Sequence, residues 1–361
     1  MNREVLLAGL SWNAFIGPKR YDRILERTGS VEAYFELPVG EQVEMIGVKA
    51  EGAEKLFRAM AGEGEKIVEA CRAKGIQMLS RDDPAYPARL LQLTDAPFLL
   101  YVLGNYNPSI KTVAVVGTRE YSSEAEEVNR WFTSELVNYH IGIVSGLAKG
   151  HDHIAQSAVV ALGGYTVAVL GSGVDVVYPR DYRNLYDRIV DTGCVVSEYA
   201  PGTLPDRLHF PLRNRIISGL SDAVLVVQAP AKSGALHTAK YAEHQGRELW
   251  VVPGNPVDPR YEGSNRLIRD GAKIALRPEE IVLDVAGNGR ELRKVEPAAS
   301  KVDCLSPEEE AVWKLLEQDA YIDELAGKCG LQMGALNALL TKLELRGLVV
   351  QYPGRFYARA V

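Results

Sequence analysis

The sequence predicts an α/β protein: a parallel sheet with helices on both faces, preceded by a helical segment and followed by a winged helix-turn-helix. Three observations carry that prediction. First, compact β-branched runs recur in the middle of the chain: "TVAVVG" (112–117), "GIVSG" (142–146), "TVAVLGSG" (166–173), "CVVSEY" (194–199), "AVLVVQA" (223–229) and "ELWVVPG" (248–254). Second, helical stretches such as Glu124–Tyr139, His151–Leu162, Asp181–Asp191 and Ala235–Gln245 separate most of them. Strands apolar on both faces that alternate with helices form a parallel sheet covered on both sides. Third, the residues from Cys304 onward carry a separate pattern of three helices and a hairpin.

In chain order, residues 1–65 read as short amphipathic helices, and "LPVGEQVEMIGVKAEGAEKLFRAM" resembles a helix-hairpin-helix turn around Gly47 or a plain helical packing module. Between residues 80 and 105 the prolines make turns and the apolar end makes a short strand. The stretch from Ile154 to Val174 has no charged residue and is long enough to span a bilayer. Gly163-Gly164 divides it into an Ala-rich helical half and a β-branched half, so it reads as a buried helix, turn and strand. "AGNGRELRKVEPAASKVD" reads as a linker after Val285. Beyond it, helices at about 307–317, 321–328 and 332–346 precede two strands around Pro353-Gly354. Leu336, Leu339, Leu340 and Leu343 of the third helix form one buried stripe.

With 361 residues, 47% hydrophobic and 24% charged, the chain has room for two or three ordinary globular domains. Its formal charge of −6 gives no overall attraction to nucleic acid, so such binding needs a local basic groove. Cys71, Cys194, Cys304 and Cys329 are scattered without a Cys-x-x-Cys pair. Neither a disulfide framework nor a zinc site is expected, and a reducing cytoplasm fits. The apolar run after Arg3 is short and broken by Ser11-Trp12-Asn13, unlike a secretory signal.

Open parallel sheets bind ligands at the carboxyl ends of their strands. Gly117, Thr118 and Arg119 follow the first regular strand, joining close backbone approach to a guanidinium suited to a phosphate. Ser145, Gly146, Lys149 and Gly150 follow the next strand just before a helix, whose free N–H groups favour an anion. Lys232, Ser233 and Gly234 repeat the design later in the chain, and Arg213 and Arg215 stand near another helix start. Four such sites on one rim predict an extended phosphate-binding surface. "AVLGSGVDV" is not a dinucleotide fingerprint: its third glycine is replaced by Val176, and Tyr178-Pro179 stands where a helix has to run.

The ordered runs "GTRE", "VSGLAKGHD", "AVLGSGVDVVYP", "VSEYAPG", "FPLRNRIISGLSD", "SGALHTAKYAEHQGRELWVVPG" and "GSNRLIRDGA", over roughly residues 110–275, resemble the bacterial DNA-processing protein A (DprA/Smf) family. The resemblance implies an N-terminal helical (SAM- or helix-hairpin-helix-like) domain over 1–65 and an extended Rossmann-like DNA-binding domain over 66–285. A linker over 286–303 and a winged-helix domain over 304–361 would follow. It also implies a cytoplasmic homodimer, without cofactor or catalysis, that binds and protects incoming single-stranded DNA and loads the RecA recombinase onto it in natural transformation. Carried over, Arg119 and Lys149 contact the DNA backbone, Ser145 and Gly146 supply donors, Arg213, Arg215 and Lys232 line the same groove, and Asn214 orients its loop. Thr118, His151, Gln156 and Gln228 depart from the family's usual residues, but none removes a cation.

Enzymatic readings have weaker support. His151 and His153 of "HDH" sit two apart on a helix and do not share a face, so they chelate poorly, while Asp152 suits a helix start. Ser145, Ser197 and Ser233 lie in no Gly-x-Ser-x-Gly element, and no Walker pattern exists. The main alternative is a nucleotide phosphoribohydrolase on a related sheet. Its Pro-Gly-Gly-x-Gly-Thr and following glutamate are missing from "VPGNPVDPRYEG". From Cys304 to Val361 six Lys or Arg face eight Asp or Glu. An acidic winged domain is expected to divide between auxiliary DNA contact and protein docking.

Overall fold

All five residues of β3 (Thr112–Val116) are buried, and alternate side chains enter different cores. Val113 and Val115 join Phe132, Leu136 and Val159 on one face, whereas Ala114 and Val116 join Ile216, Ile217 and Ala239 on the other. The sheet is therefore covered on both sides, which is why its strands read as continuous apolar runs. A computed structural model of the chain describes residues 2–48, 53–286, 305–316, 320–345, 348–352 and 356–359. It divides into two compact units, 1–293 and 294–361.

The first unit opens with α1 (Arg3–Trp12), α2 (Pro18–Thr28), α3 (Val31–Glu36), α4 (Val39–Met45) and α5 (Ala53–Lys74). Gly47 takes a left-handed φ of 68° after α4; residues 49–52, the remainder of the expected hairpin turn, lie outside the described residues. Then come β1 (Gln77–Ser80), β2 (Leu99–Gly104), β3, α6 (Ser123–Asn138), β4 (Gly142–Ser145), α7 (His151–Ala161) and β5 (Thr166–Val169). They are followed by α8 (Arg183–Thr192), β6 (Cys194–Ser197), α9 (His209–Gly219), β7 (Ala223–Val226) and α10 (Ala235–His244). The unit ends with β8 (Glu248–Val251), α11 (Glu262–Arg269), β9 (Lys273–Ile274) and α12 (Pro278–Ala286).

The sheet order is β1-β2-β6-β5-β4-β3-β7-β8-β9. The strands from β6 to β9 are parallel, while β2 pairs antiparallel with both β1 and β6. Outside the six regular runs, β2 is the short strand expected at the apolar end of residues 80–105, while β1, which completes the antiparallel edge, and β9 are additions. Leu6, Leu10, Tyr21 and Met60 of the helical front share one core with Leu99, Tyr101 and Val195 of that edge. The uncharged stretch resolves into α7, a turn at Gly163-Gly164 and β5. No helix among the described residues is long and apolar enough to cross a membrane.

After β5 no α-helix opens at the Gly171–Gly173 pair; α8 begins only at Arg183. A Cβ at Gly171 would come 2.9 Å from the Phe210 ring, so packing accounts for that glycine without a phosphate.

The second unit contains α13 (Pro307–Leu315), β10 (Ala320–Tyr321), α14 (Ile322–Cys329), α15 (Met333–Leu345), β11 (Val349–Tyr352) and β12 (Phe356–Arg359). Ser306 and Glu309 close a reciprocal capping box on α13. β10 joins the hairpin as a third strand. Leu336, Leu340 and Leu343 are buried against Val312, Ile322 and Leu325, giving the winged-helix fold. Most of the expected linker, Cys304 and Pro353-Gly354 lie outside the described residues.

Candidate nucleic-acid interface

β3 lies at the centre of the parallel order, with β4 on one side and β7 on the other. Connections leave in opposite directions there, opening a crevice beyond the carboxyl ends of the strands. A cavity of about 920 Å³ occupies this place. Gly117, Thr118 and Arg119 border it beyond β3, Lys149 beyond β4, and Lys232, Ser233 and Gly234 beyond β7. The first turns of α9 and α10 complete its wall, with Tyr178 and Arg260. Arg119, Lys149, Arg207 and Lys232 are exposed, and none takes part in an ion pair among the described residues. Arg260, by contrast, is held by Asp258 at 2.8 Å.

Arg213 forms the buried part of the site. Its guanidinium donates to the carbonyl of Gly146 at 2.6 Å and to that of Val169, tying the ends of β4 and β5 to α9. Asp152 lies 3.9 Å away and accepts from the amides of Gly146 at 3.0 Å and Ala148 at 3.4 Å. A Cβ at Gly146 would fall 2.0 Å from the Arg213 guanidinium, so only glycine leaves room for this charge. Burial pulls the Arg213 pKa down to about 10; Asp152 resists that shift and Arg119 adds to it. The group stays cationic at neutral pH. Burial pushes Asp152 upward, against Arg213 and the two amides. Its place in the first turn of α7 suits the helix dipole.

The other expected residues have distinct placements. Ser145 Oγ is buried and donates to the Val115 carbonyl at 2.7 Å, inside the sheet. Gly150 has φ 83° and passes so close to the Arg119 loop that a Cβ would sit 2.3 Å from the Thr118 carbonyl oxygen. Ser145, Gly146 and Gly150 therefore shape the rim without lining the cavity. Asn214 Oδ1 accepts from Arg213 Nε at 3.0 Å, and its Nδ2 donates to the Gly234 carbonyl at 3.4 Å, joining α9 to the β7 loop. Ser233 Oγ accepts from the Ala235 amide at the start of α10.

Arg215 stands apart. Both terminal guanidinium nitrogens donate to Glu198 at 2.7 Å, and Asp95 lies 3.3 Å from its Nε. It borders a different cavity. Arg213 and Arg215 are both buried in the second turn of α9, rather than exposed at its start, and positions two apart on a helix diverge. The same geometry separates the histidines: His151 Nδ1 meets Asn129 at 2.9 Å, while His153 stacks on Tyr182 at 4.1 Å. Arg207, Tyr178 and Phe210 were not expected at the site. "DRLHF" follows no strand end, but its cation and aromatic beside a helix start were the available signal.

The family model described as DNA recombination-mediator protein A matches residues 77–286, and that of the DprA winged helix domain matches residues 296–355. The chain belongs to the DNA recombination-mediator protein A family. Protein Smf of Synechocystis is 35% identical over 330 residues, 81% of this chain and 83% of that one. The structure of DprA from Streptococcus pneumoniae superposes with a TM-score of 0.65 at 32% identity, covering 77% of this chain and 95% of that one. A DprA structure from Helicobacter pylori, described for its single-stranded DNA binding mode, gives 0.52 at 28% identity and covers 57% and 94%. Among DprA proteins, then, this one carries both the Rossmann-like sheet and the winged helix.

Proposed function

We propose that the protein binds single-stranded DNA in the crevice above β3, β4 and β7, without catalysis, and loads the RecA recombinase onto the bound strand during natural transformation. One observation carries the DNA reading: four exposed cations without carboxylate partners among the described residues, Arg119, Lys149, Arg207 and Lys232, surround a single cavity floored by Arg213. Phosphates provide most of the affinity in such a groove, through counterion release. Tyr178, 48% exposed, stacks on Phe210 with centroids 5.5 Å apart, offering a platform for bases that is indifferent to sequence. The Helicobacter relative, described as binding single strands, supports the same reading. RecA loading, protection of incoming strands, a homodimer and a cytoplasmic location follow from family kinship. The winged domain is assigned to auxiliary DNA contact or protein docking.

A gel-shift series with oligo-dT tests the DNA reading, and Arg119→Ala is expected to weaken the shift. Unchanged affinity in that variant overturns the site. For the recombinase, RecA assembly is followed on strands coated with single-strand-binding protein. Equal assembly rates with and without this protein overturn the loading role.

A further inference from the structure

A second cavity, of about 580 Å³, lies where the helical front meets the β2 and β6 side of the sheet. Its size falls within the range of small-molecule sites. Trp12, Phe15, Phe98 and Tyr199 give it an aromatic lining. Tyr199 is braced by His209, stacked at 3.9 Å. α9 divides this cavity from the DNA crevice: His209 and Leu212 border the one, Phe210 and Arg213 the other.

Three features give this apolar space a polar direction. Gly17 caps α2 without a side-chain bond and Pro18 follows, so the Lys19 amide has no intrahelical partner while Arg20 and Tyr21 both bond the Gly17 carbonyl. The exposed Lys19 side chain adds a cation in no ion pair among the described residues. Asn13 borders the cavity at 2% exposure; its Oδ1 accepts from the Phe15 amide, but its buried Nδ2 has no acceptor among the described residues. A buried donor left unpaired is costly, so this corner of the lining is polar where the aromatic part is apolar. The opposite charge stands elsewhere on the lining, where Asp95 and Glu198 share the single guanidinium of Arg215.

We infer that this cavity is a nucleotide site that takes one purine nucleoside monophosphate unit, distinct from the DNA crevice. The base lies among the aromatic rings, the phosphate meets Lys19 and the open α2 terminus, and an amine on the base is received by the Asp95 and Glu198 carboxylates. Leu208 and Leu212, 75% and 50% exposed and one turn apart, provide an apolar approach along α9. The unit is either a free nucleotide or one residue of a strand that continues from the crevice.

The test uses the full chain with Arg119→Glu and Lys232→Glu, which disables the crevice, and titrates it with dAMP while following tryptophan fluorescence. Saturable binding is expected, with a loss of about tenfold when Lys19→Glu or the half-exposed Leu212→Glu is added. Absence of saturable binding, or binding indifferent to both added changes, overturns the inference. Lys19→Glu is also placed alone in the unaltered background and assayed with oligo-dA. A parallel fall in oligonucleotide affinity identifies the strand as the source, and a fall for dAMP alone identifies the free nucleotide. The unaltered protein's own affinity for oligo-dT is measured beside these, so failure of the crevice reading registers separately.

Discussion

Arg119 and Arg213 carry the same charge beside the same cavity, but their removal has different consequences. Arg119 is exposed and in no ion pair among the described residues, so Arg119→Ala is expected to weaken oligo-dT binding, flatten the log–log salt slope by about 0.7 and leave the denaturation midpoint almost unchanged. Arg213→Ala strands a buried Asp152 carboxylate and frees two strand-end carbonyls. It is expected to cost about 3–5 kcal/mol in denaturant unfolding, besides its effect on binding. His151 gives the pH prediction. Burial lowers its pKa from the ordinary 6.5 to about 4. Between those values the unfolded chain takes up a proton that the folded chain refuses, so stability falls as pH drops through that window and levels off below it. The full effect of this residue is on the order of 3 kcal/mol. Asp152, raised by burial, opposes part of it. Stability curves of the unaltered protein and His151→Gln isolate the histidine, and equal acid slopes in the two refute the prediction.

At the scale of elements, α9 explains both what the sequence disclosed and what it concealed. Valine-rich runs were readable as strands because both faces of β3, β4, β5 and β7 are buried, so no polar residue interrupts the pattern. The loops beyond those strands were readable for the same reason: Arg119, Lys149 and Lys232 stand directly after them. α9 has no such marker. Cations at positions 213 and 215 look like one solvated pair, yet helical geometry turns one toward the β4 and β5 ends and the other toward Glu198. β9 and β10 span two residues each, too few to show any period. The helix also yields a prediction. Arg215→Ala leaves Glu198 without its bidentate partner, and is expected to cost about 3–5 kcal/mol of stability while the oligo-dT salt slope stays unaltered. A flattened slope in a variant that remains folded would place Arg215 among the phosphate contacts instead.

The whole molecule is acidic, at −6, so its attraction for a polyanion has to come from local concentration of charge. The crevice gathers its exposed cations from four separate segments, which only the parallel order of the sheet brings to one rim. If Arg119, Lys149, Arg207 and Lys232 each neutralise one phosphate, the single-strand salt slope is roughly −2.8. Most of that slope should belong to the first compact unit, residues 1–293, because the segment from Cys304 has more carboxylates than cations. Ending the chain at residue 293 is therefore expected to leave both the slope and the oligo-dT affinity nearly unchanged. Titrations across a salt series with the full and shortened chains check this directly. A slope that drops by about 0.7 or more on truncation would mean that the winged domain holds phosphates despite its net charge, through cations gathered on one face.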